Sequence, residues 1–140
     1  MSSLKVFTRE LRVTTHRRLE AIDITHLVED VFDESGIKNG LCMVFVPHAT
    51  SAIIANEAEP GLMQDYIDLI KEVFKPDHEW RHNRIDNNAH AHLAAALIGP
   101  SRVFPVIDGR CVRGTWQNII LLELDGPRTR RVVIQVVGEA

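Results

Sequence analysis

Cysteine is scarce in this chain: its 140 residues hold two, Cys42 and Cys111, with no CxxC spacing. That excludes a zinc finger and a disulfide-built secreted scaffold, and points to buried, reduced thiols in a cytoplasmic protein. Long apolar runs are missing as well. No stretch approaches the roughly 20 residues of a membrane helix, and the polar N-terminus lacks a signal peptide's apolar region. An excess of positive charge is also absent. The net charge of -3 argues against a general nucleic-acid binder; the basic runs Arg17–Arg18 and Arg128–Arg131 could contact an anion but read first as solvated strand ends. Nucleotide-binding and hydrolase signatures are missing: there is no phosphate loop, dinucleotide fingerprint or HExxH, and no serine in a nucleophile elbow.

What is present is an ordinary globular composition, 45% apolar and 25% charged, with no repeat or linker. A single domain over residues 1–140 is expected. The β-branched opening up to residue 23 reads as one strand or two joined by a bend. Asp23 caps a helix whose Ile24, Leu27, Val28, Val31 and Phe32 share a face, and Gly36 stops it. The run LCMVFV (41–46) reads as a strand buried on both faces, ended by Pro47, with a short strand at 52–54. Pro60 opens a second helix burying Leu62, Tyr66, Leu69, Ile70 and Val73, and Pro76 ends it. A polar loop leads to a short helix over 91–98, stopped by Gly99 and Pro100. Strands follow at 102–107, 110–113, 118–124 and 130–137, with an Asp108–Gly109 hairpin turn. The expectation is an α+β domain: an antiparallel-rich sheet, two longer helices and one short one.

Chemistry concentrates between Asn83 and Gln117 and just after Pro47. His48, His82, His90 and His92 fall in or beside loops; three imidazoles plus water would make an open metal site, and hydrogen-bonding histidines at element ends are the plain alternative. His90 and His92 lie about 200° apart on a helix, so only one would coordinate unless the helix begins after them. Glu57, following a strand and beside Asn56, suits general acid–base work; a carboxylate at a helix entry is the competing reading. Asp86 is a weaker candidate. Gly114–Gln117 offers a backbone approach, the polar handles Thr115 and Gln117, and Trp116 as stacking plate or core anchor. Ser101 adds a hydroxyl.

The stretches VPHATSAIIANEAEP (46–60), RHN (81–83), NAHAHLAAALIGPS (88–101), GTWQNIILLELDGPR (114–128) and RRVVIQVVGE (130–139) carry a resemblance. They look like the YjbQ family of secondary thiamine-phosphate-synthase-like proteins. The resemblance implies a compact α+β homotrimer with its site near subunit boundaries. It also implies joining of a hydroxymethylpyrimidine diphosphate to a thiazole phosphate with release of pyrophosphate. Carried over by motif, His48, His82 and His92 would hold a divalent metal and Glu57 and His48 would be catalytic. Asn56, His90, Ser101, Thr115, Trp116 and Gln117 would bind substrate. A histidine cluster favours zinc, whereas a diphosphate substrate would call for magnesium. Ala49 stands where the motif has threonine, and His90 where relatives carry an acid. The competing expectations are a metal-dependent hydrolase of a small phosphorylated or ester substrate, and a non-catalytic metabolite- or metal-binding trimer.

Overall fold

The computed structural model describes residues 3–140. In chain order it runs β1 (Leu4–Thr14), β2 (Glu20–Asp23), α1 (Thr25–Ser35), β3 (Asn39–Phe45), β4 (Ser51–Asn56) and α2 (Pro60–Val73). A single tight helical turn, Arg81–Arg84, then precedes α3 (Ala89–Ile98), β5 (Ser101–Ile107), β6 (Arg110–Cys111), β7 (Asn118–Glu123) and β8 (Thr129–Glu139). Every strand pair is antiparallel, as an α+β domain requires. The strands form two sheets rather than one, ordered β1-β8-β3-β5-β6 and β2-β7-β4. The opening segment is thus two strands in different sheets, and β1 pairs with β8 along its whole length.

The three-stranded sheet is the middle layer. Ile53, Ile119 and Leu121 face α1 and the larger sheet, packing with Val28, Phe32, Val44 and Ile134. Ala52, Ile120 and Leu122 face the other way, onto Ile70 of α2 and Ala91, Ala94 and Ala95 of α3. β7 is therefore the strand buried on both faces, which is why its run reads IILL without alternation. That role was expected of residues 41–46. In β3, however, Cys42 and Val44 are buried while Leu41 is 54% exposed, because no element among the described residues covers the outer face of the larger sheet. Both cysteines are free and buried.

Local signals placed the helices well and their faces less well. Gly36 adopts φ 66° after α1, and Asp23 accepts from the backbone N–H and hydroxyl of Thr25. Leu27 is exposed, leaving Ile24, Val28, Val31 and Phe32 as the buried stripe. In α2 Glu59 caps the first turn, accepting from Gly61 and Leu62. Its core-facing residues are Ile67 and Ile70, with Met63, Tyr66 and Phe74 at the margin, while Leu69 and Val73 point to solvent. Asp108 and Gly109 take positive φ in the β5–β6 turn, and β6 ends two residues earlier than expected.

Candidate functional site

α3 begins at Ala89, two residues earlier than the alanine run suggests, so His90 and His92 both sit on the helix. The 200° between them then decides their surroundings. His90 is buried, while His92 lines a cavity of about 570 Å3 with His48, Ala49, Thr50, Asn88, Asp125, Arg128, Thr129 and Arg130. The rings of His82 and His92 meet edge to face with centroids 4.8 Å apart. A more apolar cavity beside Trp80 and Leu93 opens from that pair.

The protonation states can be read from hydrogen bonds. The backbone N–H of Arg131 donates to His48 Nε2 at 2.9 Å. A backbone amide can only donate, so Nε2 accepts and the neutral ring carries its proton on Nδ1. Burial pushes the His48 pKa below its ordinary value, and the charges of Arg130, Arg131 and Arg128 push the same way against Glu123. Asn88 donates its amide to Asp125 Oδ2 at 2.9 Å, which leaves its Oδ1 to accept from His82 Nε2 at 3.0 Å. Burial raises Asp125, but hydrogen bonds from Asn88 and Arg128 and the charges of Arg128 and Arg18 outweigh it and hold the carboxyl low.

Beneath the cavity lies an ion pair that the sequence reading missed. Arg130 was assigned to a solvated strand end, yet its side chain is 3% exposed and Glu123 is fully buried. Arg130 donates to both Glu123 oxygens, at 2.9 and 2.5 Å, and to the Thr50 carbonyl and hydroxyl at 3.0 and 2.8 Å. Glu123 also accepts from the Thr15 hydroxyl and the Asp125 amide. The pair ties β7, β8 and the segment carrying His48 together. Its signal in the sequence was a lone glutamate closing an apolar β7, opposite Ser51 in the register.

The other expected site residues lie elsewhere in the chain. β4 runs from Ser51, near His48, to Asn56, and five residue steps at ordinary strand rise place these ends about 17 Å apart. Glu57 stands at the far end, its carbonyl accepting from Tyr66, whose own pKa is raised by burial and then by the charges of Glu57 and Glu59. Thr115, Trp116 and Gln117 belong to that end too, since Asn118 pairs with Asn56. Trp116 is 70% exposed, neither a core anchor nor packed beside the histidines. Ser101 is the exception, opening β5 opposite Phe45 next to Pro100, which lines a cavity with His48 and His92; Asp86 lies in an exposed stretch of loop.

The same geometry bears on the metal expectation. No group of three His, Cys, Asp or Glu that could hold an ion occurs among the described residues. His48 Nε2 and His82 Nε2 are already committed to the Arg131 amide and to Asn88.

A family model described as "UPF0047 protein YjbQ-like" matches residues 9–139. The chain belongs to the YjbQ family. It is 47% identical over 136 residues to a UPF0047 protein of Methanothermobacter thermautotrophicus, covering 97% of this chain and 95% of that one. It is 39% identical to YugU of Bacillus subtilis, covering 93% and 98%. Among solved structures it is similar to a YbjQ-like protein of unknown function from Sulfolobus solfataricus P2, with TM-score 0.97, 53% identity and coverage of 98% and 100%. A hypothetical protein from Aeropyrum pernix K1 follows with TM-score 0.93, 49% identity and coverage of 94% and 98%. None of these YjbQ relatives is described by an activity. With the absence of a metal-holding group among the described residues, that overturns the thiamine-phosphate-synthase reading at a metal site, together with its metal-dependent and metal-binding alternatives. No helix among the described residues is long and apolar enough to cross a membrane.

Proposed function

We propose that the cavity around His48 and His92 binds a small phosphorylated molecule and polarises it through the Nδ1–H of a neutral imidazole. The observation that carries this reading is the amide of Arg131 on His48 Nε2, which leaves Nδ1–H as the ring's donor. A neutral imidazole N–H is an effective electrophilic hydrogen-bond partner for a negatively charged substrate. Arg128, Arg130 and Arg131 outnumber Glu123 in the field at that ring, favouring an anion there. Arg128 is the arginine best placed to meet it: its guanidinium is half-exposed and pairs with Asp125 at 3.2 Å. A volume of about 570 Å3 suits a small metabolite. The two free thiols fit a reducing compartment such as the cytoplasm.

The test is a thermal-shift screen of phosphorylated metabolites, with hits repeated on His48→Gln and Arg128→Ala. The expected result is a hit that stabilises wild type, with Arg128→Ala losing the shift and His48→Gln reducing it. Hits indifferent to both substitutions would refute the reading.

The homotrimer that the resemblance implies remains our reading of assembly. Its support is the uncovered face of the larger sheet, where Leu41, Val103 and Ile107 stand more than half exposed. A contiguous apolar face of this kind marks an interface. Light scattering of Leu41→Asp is expected to give monomer; a monomeric wild type would refute the assembly.

A further inference from the structure

A second cavity, of about 440 Å3, is lined by Arg18, Leu19, Lys71, Pro76, Asn87 and His90. It lies on the His90 side of α3, turned away from His92 by the helical angle between them. Nothing in the mechanism proposed above uses it.

Two independent observations single it out. The first is the state of His90, which is 2% exposed and whose Nδ1 is sealed from solvent with no hydrogen-bond partner. Nε2 is not among the sealed atoms, and the ring lines the cavity, so Nε2 is the nitrogen His90 presents there. Burial first, and then the charge of Arg18, keep this imidazole neutral against the pull of Asp125.

The second observation is the charge of the walls. No acidic side chain lines the cavity, whereas Arg18 and Lys71 both do. Among the described residues Lys71 has no carboxylate within ion-pair distance; the pairs are made by Arg9, Arg18, Arg113, Arg128, Arg130 and Arg131. Arg18 is held in place by donating to the Asn87 carbonyl at 2.7 Å, and it stands 3.8 Å from Asp125 behind the wall. The last turn of α2 orients Lys71, and Leu19 and Pro76 supply an apolar side. Two cations, a neutral ring nitrogen and an apolar flank form a complementary receptor for a small organic molecule ending in an oxyanion.

We infer that this cavity is a second ligand site, taking a small organic anion, phosphate or carboxylate, whose charged end lies between Lys71 and Arg18 and whose polar atoms meet His90 Nε2. The site goes beyond the His48 cavity and stands or falls separately from it.

The experiment follows the histidine ring resonances of the full chain by long-range 1H–15N spectra during titration with inorganic phosphate and, separately, succinate. A saturable shift of His90 with either anion is expected, and the stronger of the two identifies the anion class. Lys71 is exposed on α2, so its variants should fold. Lys71→Glu is expected to weaken binding by about tenfold or more and Lys71→Arg to retain it, since charge-assisted hydrogen bonds are worth at least that factor. Arg128→Ala is expected to leave the His90 response unchanged. A silent His90 with both anions, an unchanged affinity in Lys71→Glu, or loss of the His90 response in Arg128→Ala would overturn the inference. Silence of His48 alone would count against the other cavity and leave this one standing.

Discussion

Arg130→Ala should be among the most damaging single substitutions in the chain outside the hydrophobic core. It removes a guanidinium that is 3% exposed and strands a fully buried carboxylate. Glu123 would keep only its hydrogen bonds from Thr15 and Asp125, while the carbonyl and hydroxyl of Thr50 would lose their donor. Breaking a buried pair from one side costs about 3–5 kcal/mol, because the remaining charge is uncompensated. For a chain of this size that corresponds to a fall in Tm of about 10–17 °C. Urea unfolding is the assay, with the midpoint shifting at constant slope. The double variant Glu123→Leu/Arg130→Met separates pairing from packing. Replacing both charges with apolar groups of similar volume is usually neutral or stabilising, so the double variant should be more stable than Arg130→Ala. A cost below about 1 kcal/mol for Arg130→Ala, or a double variant no better than the single, would refute the reasoning.

Gly126→Ala should also destabilise. A Cβ there would lie 2.3 Å from the Arg17 carbonyl and 2.9 Å from the Thr15 hydroxyl, so about 1–3 kcal/mol is expected in the same urea assay. Stability should fall on mild acidification. His48 and His90 both have pKa values lowered in the fold, so their contribution is complete above the unfolded value near 6.5 and is lost as pH falls from there through the folded values. Asp125, also lowered, adds its loss only below about pH 4, so a comparison of urea midpoints at pH 7.5 and 5.5 isolates the histidines. The drop should shrink in His90→Gln; a flat midpoint across that range would contradict the burial argument.

Much of the fold was legible because its punctuation is local. Gly36, Pro60 and Asp108–Gly109 act through backbone geometry that needs no tertiary partner, and the structure uses each where the chain places it. The faces were harder. LCMVFV and NIILLE look alike as apolar runs, and only sheet order reveals that β7 is covered on both sides while β3 is covered on one. The site was legible in its residue types and less so in its grouping. His48, His82 and His92 do gather, but Glu57 and Trp116 stand at the opposite end of β4 within one chain, a separation set by register. Arg130 was hidden within a basic run because burial of an arginine depends on a glutamate seven positions away in sequence, on a strand of the other sheet. The commitments of His48 Nε2 and His82 Nε2 were equally invisible, since they depend on the Arg131 amide and on how Asn88 is oriented by Asp125.

The central proposal is tested most directly by the His48 ring itself. In long-range 1H–15N spectra at pH 7.5, His48 should show a neutral ring protonated on Nδ1, and inorganic phosphate should shift that signal saturably in wild type but not in Arg128→Ala. A His48 ring protonated on Nε2, or one indifferent to phosphate in the wild type, would contradict it.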